Sequence, residues 1–516
     1  MLAFSIHSSE IRNNIFIPSY YDPTIERDLR ALESSHNIVP LSNLIDDKII
    51  SVISGVEVGK MAYGTGDIPF VRTSDISNFE IKTIPKQGIS EDEYNKYADK
   101  KSMLPEDILL VKDGTYLIGV NCVVSELDIP MLFQSHILRF RVNVKDRLHP
   151  YLLFLLLNAS IVQRQIRNVQ FTADIIDTIG TRYRELLLPI PKNDDMKDIL
   201  IQRAIKAFGN RVKNKAVIKQ FPLLMEIALL EGSSDAFSEF IGQPINEIKD
   251  TLIQDTTTLE FGSTIFFKMS SANVRNNIYL PKYYDPTIDN ELVKLKDSCR
   301  LISVGELIKD KVIKIDTGDE IGKMAYGTGD IPFVRTSDFS NWELKSDPKQ
   351  GISQEIFDKY ASKQDVQAHD ILMVRDGTYL VGTSCIVTEM ETKMLYCGGL
   401  FKIRSLDTKM LNPYLLLGIL NSYIVKRQIR TKQFTRDVID TVGQRIYEII
   451  LPIPKDKSVA DNLSQSIERI INSRFESRKA ISILTDAIIA YGNESVGNDE
   501  GAAIVWLDSV TKGTER

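Results

Sequence analysis

Apolar residues recur at helical spacing along one long segment near the C-terminus. Between Ser458 and Tyr491 they return every three or four positions, which predicts a single helix spanning roughly 50 Å. The stripe consists of Val459, Leu463, Ile467, Ile470, Ile481, Leu484, Ile488 and Tyr491. It weakens around Arg474 and Ser477, where we expect a polar contact or a skip in the packing.

A shorter apolar stripe lies in the first half of the chain. It comprises Ile201, Ile205, Phe208, Val212 and Ala216. Pro222 is expected to end this helix, because proline interrupts the helical hydrogen bonds. Two long stripes need apolar partners, and the simplest partner of each is the other, packed antiparallel as a coiled coil. The connector, about 223–260, leans towards helix with a polar break at Gly232–Asp235.

Short apolar runs beside turns that contain Gly and Asp predict β-strands. The runs are Ile68–Val71, Asp107–Val111, Ile331–Val334 and Asp370–Val374. Two further helices are predicted after His-Pro and Asn-Pro pairs, over Tyr151–Ile166 and Tyr414–Ile429. Each mixed region then closes at a Leu-Pro-Ile-Pro string, whose prolines force an extended exit.

These patterns occur twice because the chain is duplicated. Gly59–Asp75 reads the same seventeen letters as Gly322–Asp338, and the two halves align without a gap from Arg12 to Leu188. The period is far longer than the roughly 20–50 residues of a solenoid repeat. The fold class predicted is α+β, with two duplicated mixed domains separated by long helices that pack as an antiparallel coiled-coil spacer. The predicted segments are a first domain (1–191), a central helix and connector (192–262), a second domain (263–454) and a C-terminal helix and tail (455–516).

Composition is that of an ordinary soluble protein, with 43% hydrophobic and 26% charged residues among 516. The net charge of −6 argues against a free-standing nonspecific DNA binder, but permits a basic contact face on an acidic body. The four cysteines lack zinc or disulfide spacing, which favours a cytoplasmic location. The first residues do not read as a signal peptide, and no apolar run is long enough to span a bilayer.

Basic and amide side chains follow each domain helix, in 163–170 and 426–436. Arg and Lys neutralise phosphates, while Gln and Asn can read adenine edges. Two repeated loops add cations, hydroxyls and aromatic rings. The predicted DNA-contacting residues are Lys60, Tyr63, Arg72, Thr73, Lys112, Thr115, Tyr116, Gln134, His136, Arg164, Arg167 and Gln170 in the first copy, and Lys323, Tyr326, Arg335, Thr336, Arg375, Thr378, Tyr379, Lys426, Arg430, Lys432 and Arg436 in the second. An internal salt bridge or turn cap is an equal alternative for Arg72 with Asp75.

A nuclease is one alternative. Asp67 with Glu80-Ile81-Lys82, repeated as Asp330 with Glu343-Leu344-Lys345, matches the loose D…ExK pattern of magnesium-dependent nucleases. The competing interpretation places Asp67 in a turn, with Glu80 and Lys82 on a solvated strand face. The chain has neither a P-loop nor an Asn-Pro-Pro-Tyr type tetrapeptide, and its histidines are scattered. We therefore predict no catalytic residue and no metal site.

Four strings resemble the specificity subunit of type I restriction–modification systems: Gly-Asp-Ile-Pro-Phe-Val-Arg-Thr-Ser-Asp, Asp-Ile-Leu-Leu-Val-Lys-Asp-Gly, Leu-Asn-Ala-Ser-Ile-Val-Gln-Arg-Gln-Ile and Leu-Pro-Ile-Pro. The resemblance implies that each domain recognises one half of a split target in double-stranded DNA, and that the helices set the distance between the halves. It implies two adenine methyltransferase subunits and motor-nuclease subunits as partners. S-adenosylmethionine, ATP and magnesium would belong to those partners, and this chain would be non-catalytic. An inhibitory or structural component of such a complex is a further alternative.

The two domains are unusually alike, which predicts related half-sites read in inverted orientation. Any difference between the half-sites must then arise where the copies differ. Gln134-Ser135-His136 is replaced by Cys397-Gly398-Gly399, and the other differences are Asn121 to Ser384, Gln163 to Lys426, Asn168-Val169 to Thr431-Lys432, and Ala173 to Arg436. We predict that base-reading residues are enriched among these positions.

Overall fold

The computed structural model describes residues 4–12, 14–114, 116–173, 176–244, 267–377, 379–436 and 439–493. The chain divides into two compact units. Unit 1 comprises Met1–Val212 and Arg474–Arg516, and unit 2 comprises Lys213–Ser473. Each unit therefore contains one copy of the repeated domain together with part of each long helix. No helix in the described ranges is both long enough and apolar enough to cross a membrane.

Unit 1 mixes short strands with helices of moderate length. Its helices are α1 (Pro23–Leu32), α2 (Leu41–Asp46), α3 (Glu91–Lys101), α4 (Pro150–Asn158), α5 (Ser160–Asn168), the first half of α6 (Asp194–Glu231) and the second half of the long C-terminal helix (Lys457–Asn493). Its strands are β1 (His36–Pro40), β2 (Ile50–Ser54), β3 (Ile68–Val71), β4 (Ile76–Ser77), β5 (Glu80–Ile81), β6 (Gly88–Ile89), β7 (Ile108–Val111), β8 (Asn121–Val123), β9 (Leu132–Phe133), β10 (Ile137–Val142), β11 (Phe171–Ala173), β12 (Ile176–Thr178) and β13 (Leu187–Pro191).

A four-stranded antiparallel sheet, in the order β2-β10-β7-β8, forms the centre of unit 1. In its register Phe140 of β10 lies opposite Val52 on one side and Ile108 on the other. A second sheet, β6-β3-β9, pairs β3 antiparallel with β6 and parallel with β9. The antiparallel pair β1–β13 joins the first and last strands and so closes the domain.

Unit 2 repeats this order of elements. Its helices are the second half of α6, α7 (Asp235–Gly242), α8 (Pro286–Lys294), α9 (Val304–Lys309), α10 (Gln354–Gln364), α11 (Pro413–Asn421), α12 (Tyr423–Lys432) and the first half of α13 (Lys457–Asn493). Its strands are β14 (Cys299–Ser303), β15 (Ile313–Thr317), β16 (Ile331–Val334), β17 (Phe339–Ser340), β18 (Glu343–Leu344), β19 (Gly351–Ile352), β20 (Ile371–Val374), β21 (Ser384–Ile386), β22 (Leu395–Tyr396), β23 (Leu400–Ser405), β24 (Phe434–Arg436), β25 (Ile439–Thr441) and β26 (Ile450–Pro454). The sheets β15-β23-β20-β21 and β19-β16-β22 match those of unit 1.

The predicted helix over Tyr151–Ile166 is in fact two helices. Ala159 leaves the helical region, with ψ of 137°, and separates α4 from α5. The side chain of Asn158, at the end of α4, donates to the carbonyl of Phe154 and to Asn121 Oδ1 on β8, which fixes the break against the sheet. In unit 2, Ser422 breaks the equivalent helix, with ψ of 155°. A side chain that binds locally competes with continued helix, and periodicity does not reveal that competition.

Pro222 does not end α6, so the sequence prediction was wrong there: the helix continues to Glu231. The residues around the proline are anchored by packing, since Phe221 lies 4.4 Å from Trp342 and 5.4 Å from Phe237 between ring centroids. Phe221 and Met225 are fully buried. Burying such side chains stabilises by about 1.5–3 kcal/mol each, enough together to offset an interruption of about 3 kcal/mol.

The two long helices pack against each other within each unit. In unit 1, Leu200 and Phe208 of α6 share a core with Leu484 and Ile488 of α13 and with the leucines of α4. In unit 2, Asn214 donates to Ser473 Oγ at 2.8 Å, and Asn462 donates to Ser234 Oγ at 3.3 Å. As the residue numbers rise from 214 to 234, those of the partners fall from 473 to 462, so the helices are antiparallel. The predicted fold class is therefore confirmed, with two duplicated mixed domains and paired long helices.

The duplication continues through the long helices. Residues of α6 and their counterparts in α13, taken at the repeat offset, are each buried within their own unit: Leu200 and Leu463, Ala204 and Ile467, Arg211 and Arg474, Ile218 and Ile481, Phe221 and Leu484. The repeated unit is therefore a domain together with its following helix.

A buried ion cluster joins the first domain to the helices within unit 1. The Glu80 carboxylate accepts from Arg474 and lies 3.1 Å from Arg211 Nη2. Arg211 Nη1 also donates to the Arg474 carbonyl at 3.1 Å. The side chains of Arg211 and Arg474 are 1% and 0% exposed. The polar contact predicted where the stripe weakens at Arg474 is thus confirmed.

We predict that Glu80→Gln lowers the free energy of unfolding by roughly 3–5 kcal/mol, because it removes the carboxylate that two buried guanidinium groups share. Urea unfolding followed by circular dichroism measures this loss. The matched control is Glu26→Gln, which removes the carboxylate of an exposed pair with Arg30 and should cost no more than about 1 kcal/mol. Equal small losses in both variants would contradict a structural role for the buried cluster.

Candidate nucleic-acid interface

The loop Gly59–Gly66 and its counterpart Gly322–Gly329 each hold two predicted contact residues. Lys60 is exposed, whereas Tyr63 packs on Phe70 with ring centroids 5.7 Å apart. In unit 2, Tyr326 packs on Phe333 at 5.6 Å. The lysines therefore reach solvent, while the tyrosines anchor the loops to the core.

Arg72 and Arg335 stand at the ends of β3 and β16. Each backbone N–H donates to an aspartate three residues later, Arg72 to Asp75 at 3.0 Å and Arg335 to Asp338 at 2.9 Å. The turn-cap alternative is therefore correct for the Asp75 carboxylate. Burial raises the pKa of Asp75 and Asp338 above the ordinary aspartate value. Thr73 and Thr336 follow directly in these turns.

In unit 2, several predicted residues meet around Gly399. A Cβ placed on Gly399 would lie 3.0 Å from Thr336 and 3.9 Å from the Asp376 side chain. Arg375 pairs with Asp376 at 2.6 Å, and its guanidinium lies 5.8 Å from the Phe401 ring centroid. The Arg335 guanidinium lies 5.8 Å from the Tyr326 ring. The structure thus brings Tyr326, Arg335, Thr336 and Arg375 to one region.

Unit 1 fills the equivalent region with His136. Its Nδ1 lies 2.9 Å from Asp113 Oδ2, and Thr178 donates to the other oxygen of the same carboxylate. Lys112 donates instead to Ser54 Oγ at 3.2 Å and stays 4.0 Å from Asp113. Gln134 is buried, and its backbone N–H pairs with Val71. The two copies therefore present different polar groups on one scaffold.

A short hairpin lies beside this region in each unit, β11–β12 in the first and β24–β25 in the second. Gly114 N donates to the Asp177 carbonyl at 2.9 Å, which ties the Lys112 turn to the hairpin. Gln170 donates to the Asp177 carboxylate at 2.8 Å. Hydrogen bonds from Thr172 and Gln170 lower the pKa of Asp177.

The ends of α5 and α12 bring further cations to this hairpin. Arg167 donates to Gln170 at 3.2 Å. In unit 2, Arg430 donates to Gln433 at 2.9 Å and to the Tyr379 carbonyl at 3.0 Å, which places the Tyr379 backbone beside the helix end. The ring of Tyr379 is exposed. Tyr116, its counterpart in unit 1, is also exposed. Lys432 pairs with Glu448 at 3.2 Å and lies 3.7 Å from the Tyr283 ring centroid.

Arg164 is engaged inside unit 1. It pairs with Asp28 at 2.6 Å and donates to Thr24 Oγ1 at 2.5 Å, both on α1. Arg427, its counterpart, binds Glu291 and Thr287 in the same way. The guanidinium of Arg164 therefore holds α1 against α5. Thr115 and Thr378 lie outside the described residues, as does the side chain of Arg436.

Sequence reasoning missed two repeated features of this region. The Arg182 and Arg445 guanidinium groups lie over the Phe171 and Phe434 rings, at 4.2 and 4.1 Å from the centroids. The other feature is the set of carboxylates, Asp113, Asp177, Asp376 and Asp440, that hold neighbouring donors. Their presence at equivalent positions of both copies was the available signal.

The D…ExK residues do not form the site that a nuclease would need. The Glu80 carboxylate is occupied by Arg211 and Arg474, so it is not available as a magnesium ligand. Glu80 is also buried, which makes the solvated-face interpretation wrong for this residue. Asp67 is exposed. Within the described ranges, no group of three or more His, Cys, Asp or Glu side chains is placed to hold a metal ion.

Lys426 is partly buried on α12, and its ammonium group makes no hydrogen bond or ion pair with any residue that the structure describes. Burial, with a smaller contribution from Arg430, lowers the pKa of Lys426 to about 8. Its counterpart in unit 1, Gln163, donates to the Leu157 carbonyl at 2.7 Å and the Gly119 carbonyl at 3.1 Å. Lys426 is thus a cation to which an anion could bind.

Comparison with known proteins gives matches only among solved structures. No family model matches the chain, and no curated protein matches it. The S subunit of a type I restriction–modification system from M. genitalium aligns at 11% identity and a TM-score of 0.30, over 88% of this chain and 94% of that one. The HsdS subunit of Thermoanaerobacter tengcongensis aligns at 13% identity and a TM-score of 0.26, over 90% and 95%.

A third similar structure is described as showing complex assembly and conformational transition of the type I restriction–modification system. It aligns at 15% identity and a TM-score of 0.27, over 89% of this chain and 98% of that one. The similarity extends along nearly the whole chain and involves the class of protein that the sequence motifs resemble. At these scores the superpositions carry no argument about function, for which the residues above are the basis.

If Lys426 is a phosphate contact, we predict that binding of a DNA duplex weakens as pH rises through about 8, because only the charged form of Lys426 attracts a phosphate. Lys426→Arg should remove this pH dependence, since arginine stays protonated. Lys426→Gln, which installs the residue of the first copy, should give weaker binding without the pH dependence. Fluorescence anisotropy with a labelled duplex between pH 7 and 9.5 measures all three. The same slope in wild type and Lys426→Arg would contradict this role.

Proposed function

We propose that this chain is the DNA-specificity subunit of a type I restriction–modification complex, in which each domain reads one half of a split target. The observation that carries the proposal is the repeated region of cations, amides and exposed aromatic rings on each of two duplicated domains. Arg375 and Arg430 provide cations, Gln170 provides an amide, and Tyr379 provides an exposed ring in such regions. These groups suit phosphate neutralisation and recognition of base edges.

The duplication itself supports reading of two half-sites. Seventeen identical residues, Gly59–Asp75 and Gly322–Asp338, form the same loop and strand in both units. Related domains on one chain suit related half-sites. The partners that follow from the proposal are two adenine methyltransferase subunits, joined by motor-nuclease subunits for cleavage. S-adenosylmethionine, ATP and magnesium belong to those partners in this proposal, and the present chain supplies recognition.

The local chemistry also gives a basis for a difference between the half-sites. In the first copy this position carries His136, whose imidazole lies beside Asp113, whereas in the second copy it is Gly399, which has no side chain and lies close to Thr336. An imidazole can contact a base edge, and glycine offers no side chain for such a contact.

A genome-wide adenine-methylation map, made with and without the gene, tests the proposal. We expect a split motif to be methylated in the wild type and unmethylated after deletion. The control restores the gene on a plasmid and should restore the motif. If methylation persists without this chain while the partner methyltransferase is expressed, the specificity role is overturned.

A second prediction concerns which half of the motif each domain reads. Replacing Gln134-Ser135-His136 by Cys-Gly-Gly should change or relax one half of the methylated motif and leave the other half and the spacing intact. The reciprocal replacement of Cys397-Gly398-Gly399 by Gln-Ser-His should act on the opposite half. Sequencing the methylated motif in both variants measures this, and an unchanged motif in both would exclude these positions as base readers.

A further inference from the structure

Met61 and Met324 are the most exposed large apolar side chains that the structure describes, at 91% and 93% of their maximum. They occupy equivalent positions in the identical string Gly59–Asp75 and Gly322–Asp338. A single exposed apolar residue is unremarkable on a protein surface. Here, however, the same residue is almost fully exposed in both copies, so it gains no free energy from burial in the free subunit. This points to a contact that both copies make with a ligand.

Both loops present the methionine on a rigid support. In unit 1, Thr65 Oγ1 donates to the Ala62 carbonyl at 2.7 Å and accepts from Ser90 N at 3.0 Å, while Gly64 N donates to Gly88 O at 2.8 Å. In unit 2 the same three bonds measure 2.8, 2.9 and 2.8 Å. Gly64 and Gly327 adopt φ of 74° and 72°, which suits glycine at these turns.

The neighbours of each methionine face opposite ways. Ala62 and Tyr63, which follow Met61, pack against a core cluster that includes Val58, Phe70 and Leu132. Lys60, which precedes it, is exposed. The loop is therefore fastened on one side and carries an apolar side chain beside a cation on the other.

The predicted DNA-contacting residue nearest to each methionine indicates which ligand the methionine contacts. In unit 2, Tyr326 follows Met324 by two positions, and its ring lies 5.8 Å from the Arg335 guanidinium. Thr336, the residue after Arg335, lies close to Gly399. The methionine loop thus adjoins the candidate DNA interface. An apolar chain flanked by lysine fits a duplex, whose phosphates attract the cation and whose stacked bases offer apolar surface.

We propose that Met61 and Met324 insert as apolar wedges at base steps of the bound duplex, one in each half-site. The proposal rests on the proposed DNA-specificity function. Apolar side chains that wedge between base steps partly unstack them. The two methionines would make the same contact in both halves, so they add affinity and local deformation without distinguishing the half-sites.

Oxidation of methionine to its sulfoxide provides a direct test. The chain is treated with dilute hydrogen peroxide alone, with its methyltransferase partner, and with partner plus a duplex selected from a random pool for binding by the complex. Peptide mass spectrometry then follows Met61, Met324 and the control Met390, which is 70% exposed and has no methionine counterpart. We expect the duplex to protect Met61 and Met324 at least fivefold, and to leave Met390 unchanged.

Protection by the partner alone would assign these residues to a protein interface and overturn the wedge. No protection on a duplex that the complex does bind selectively would also overturn it. Failure of the complex to select any sequence would instead overturn the specificity function on which the wedge depends, so the two failures are distinguishable.

Substitution gives the second measurement. Met61→Ala with Met324→Ala should weaken binding of the selected duplex roughly tenfold or more, and should reduce the fluorescence of 2-aminopurine placed along the half-sites, because unstacking is lost. Met61→Leu with Met324→Leu should retain both signals, and Met390→Ala should behave as wild type. Equal affinity and fluorescence in the alanine variant would overturn the proposal.

Discussion

The charge on Glu80 determines how the first domain meets its helices. A carboxylate removed from water costs several kcal/mol unless opposite charge accompanies it, and here Arg211 and Arg474 supply that charge from two helices. The β4–β5 hairpin delivers Glu80, while Phe79 in the same turn packs 5.7 Å from Phe154 of α4. Hairpin, α4, α6 and α13 must therefore all be in register before the cluster can form. A slip of any one element would bury a charge away from its partners.

Apolar packing alone would specify this arrangement less strictly. The helices present leucine, isoleucine and alanine along their shared seam, and such side chains can exchange neighbours at modest cost. Within unit 1, the ion cluster acts on the helix seam as a buried polar residue acts in a coiled coil, by fixing the register. The two copies vary at 134–136 and 397–399, while their sheets keep the same strand order.

Much of this fold was predictable because duplication and periodicity are properties of the chain itself. The α13 helix, the strand at Ile68–Val71 and the polar contact at Arg474 all followed from residue spacing. The predictions that were wrong concerned features that depend on tertiary contacts. Pro222 lies within a helix because its neighbours are buried, and α4 stops at Asn158 because that side chain binds the sheet. The candidate interface was predicted as a set of residue types. Residue spacing could not show that Arg164 forms an ion pair with Asp28, or that the Lys426 ammonium group has no partner among the described residues.

The acidic groups within the candidate interface have a kinetic consequence. Arg375 is already paired with Asp376, and the amide of Gln433 is held by Asp440. A cation that is already paired must give up its carboxylate partner before it can neutralise a phosphate, so in the proposed role binding to an arbitrary duplex would gain little free energy from such a surface. Only a duplex whose base edges provide new hydrogen-bond partners, in place of the carboxylates that are displaced, would bind the chain tightly. In the proposed DNA-binding role, such self-neutralisation would shorten the residence time on random DNA, and it would let a protein with a net charge of −6 search a genome without being trapped.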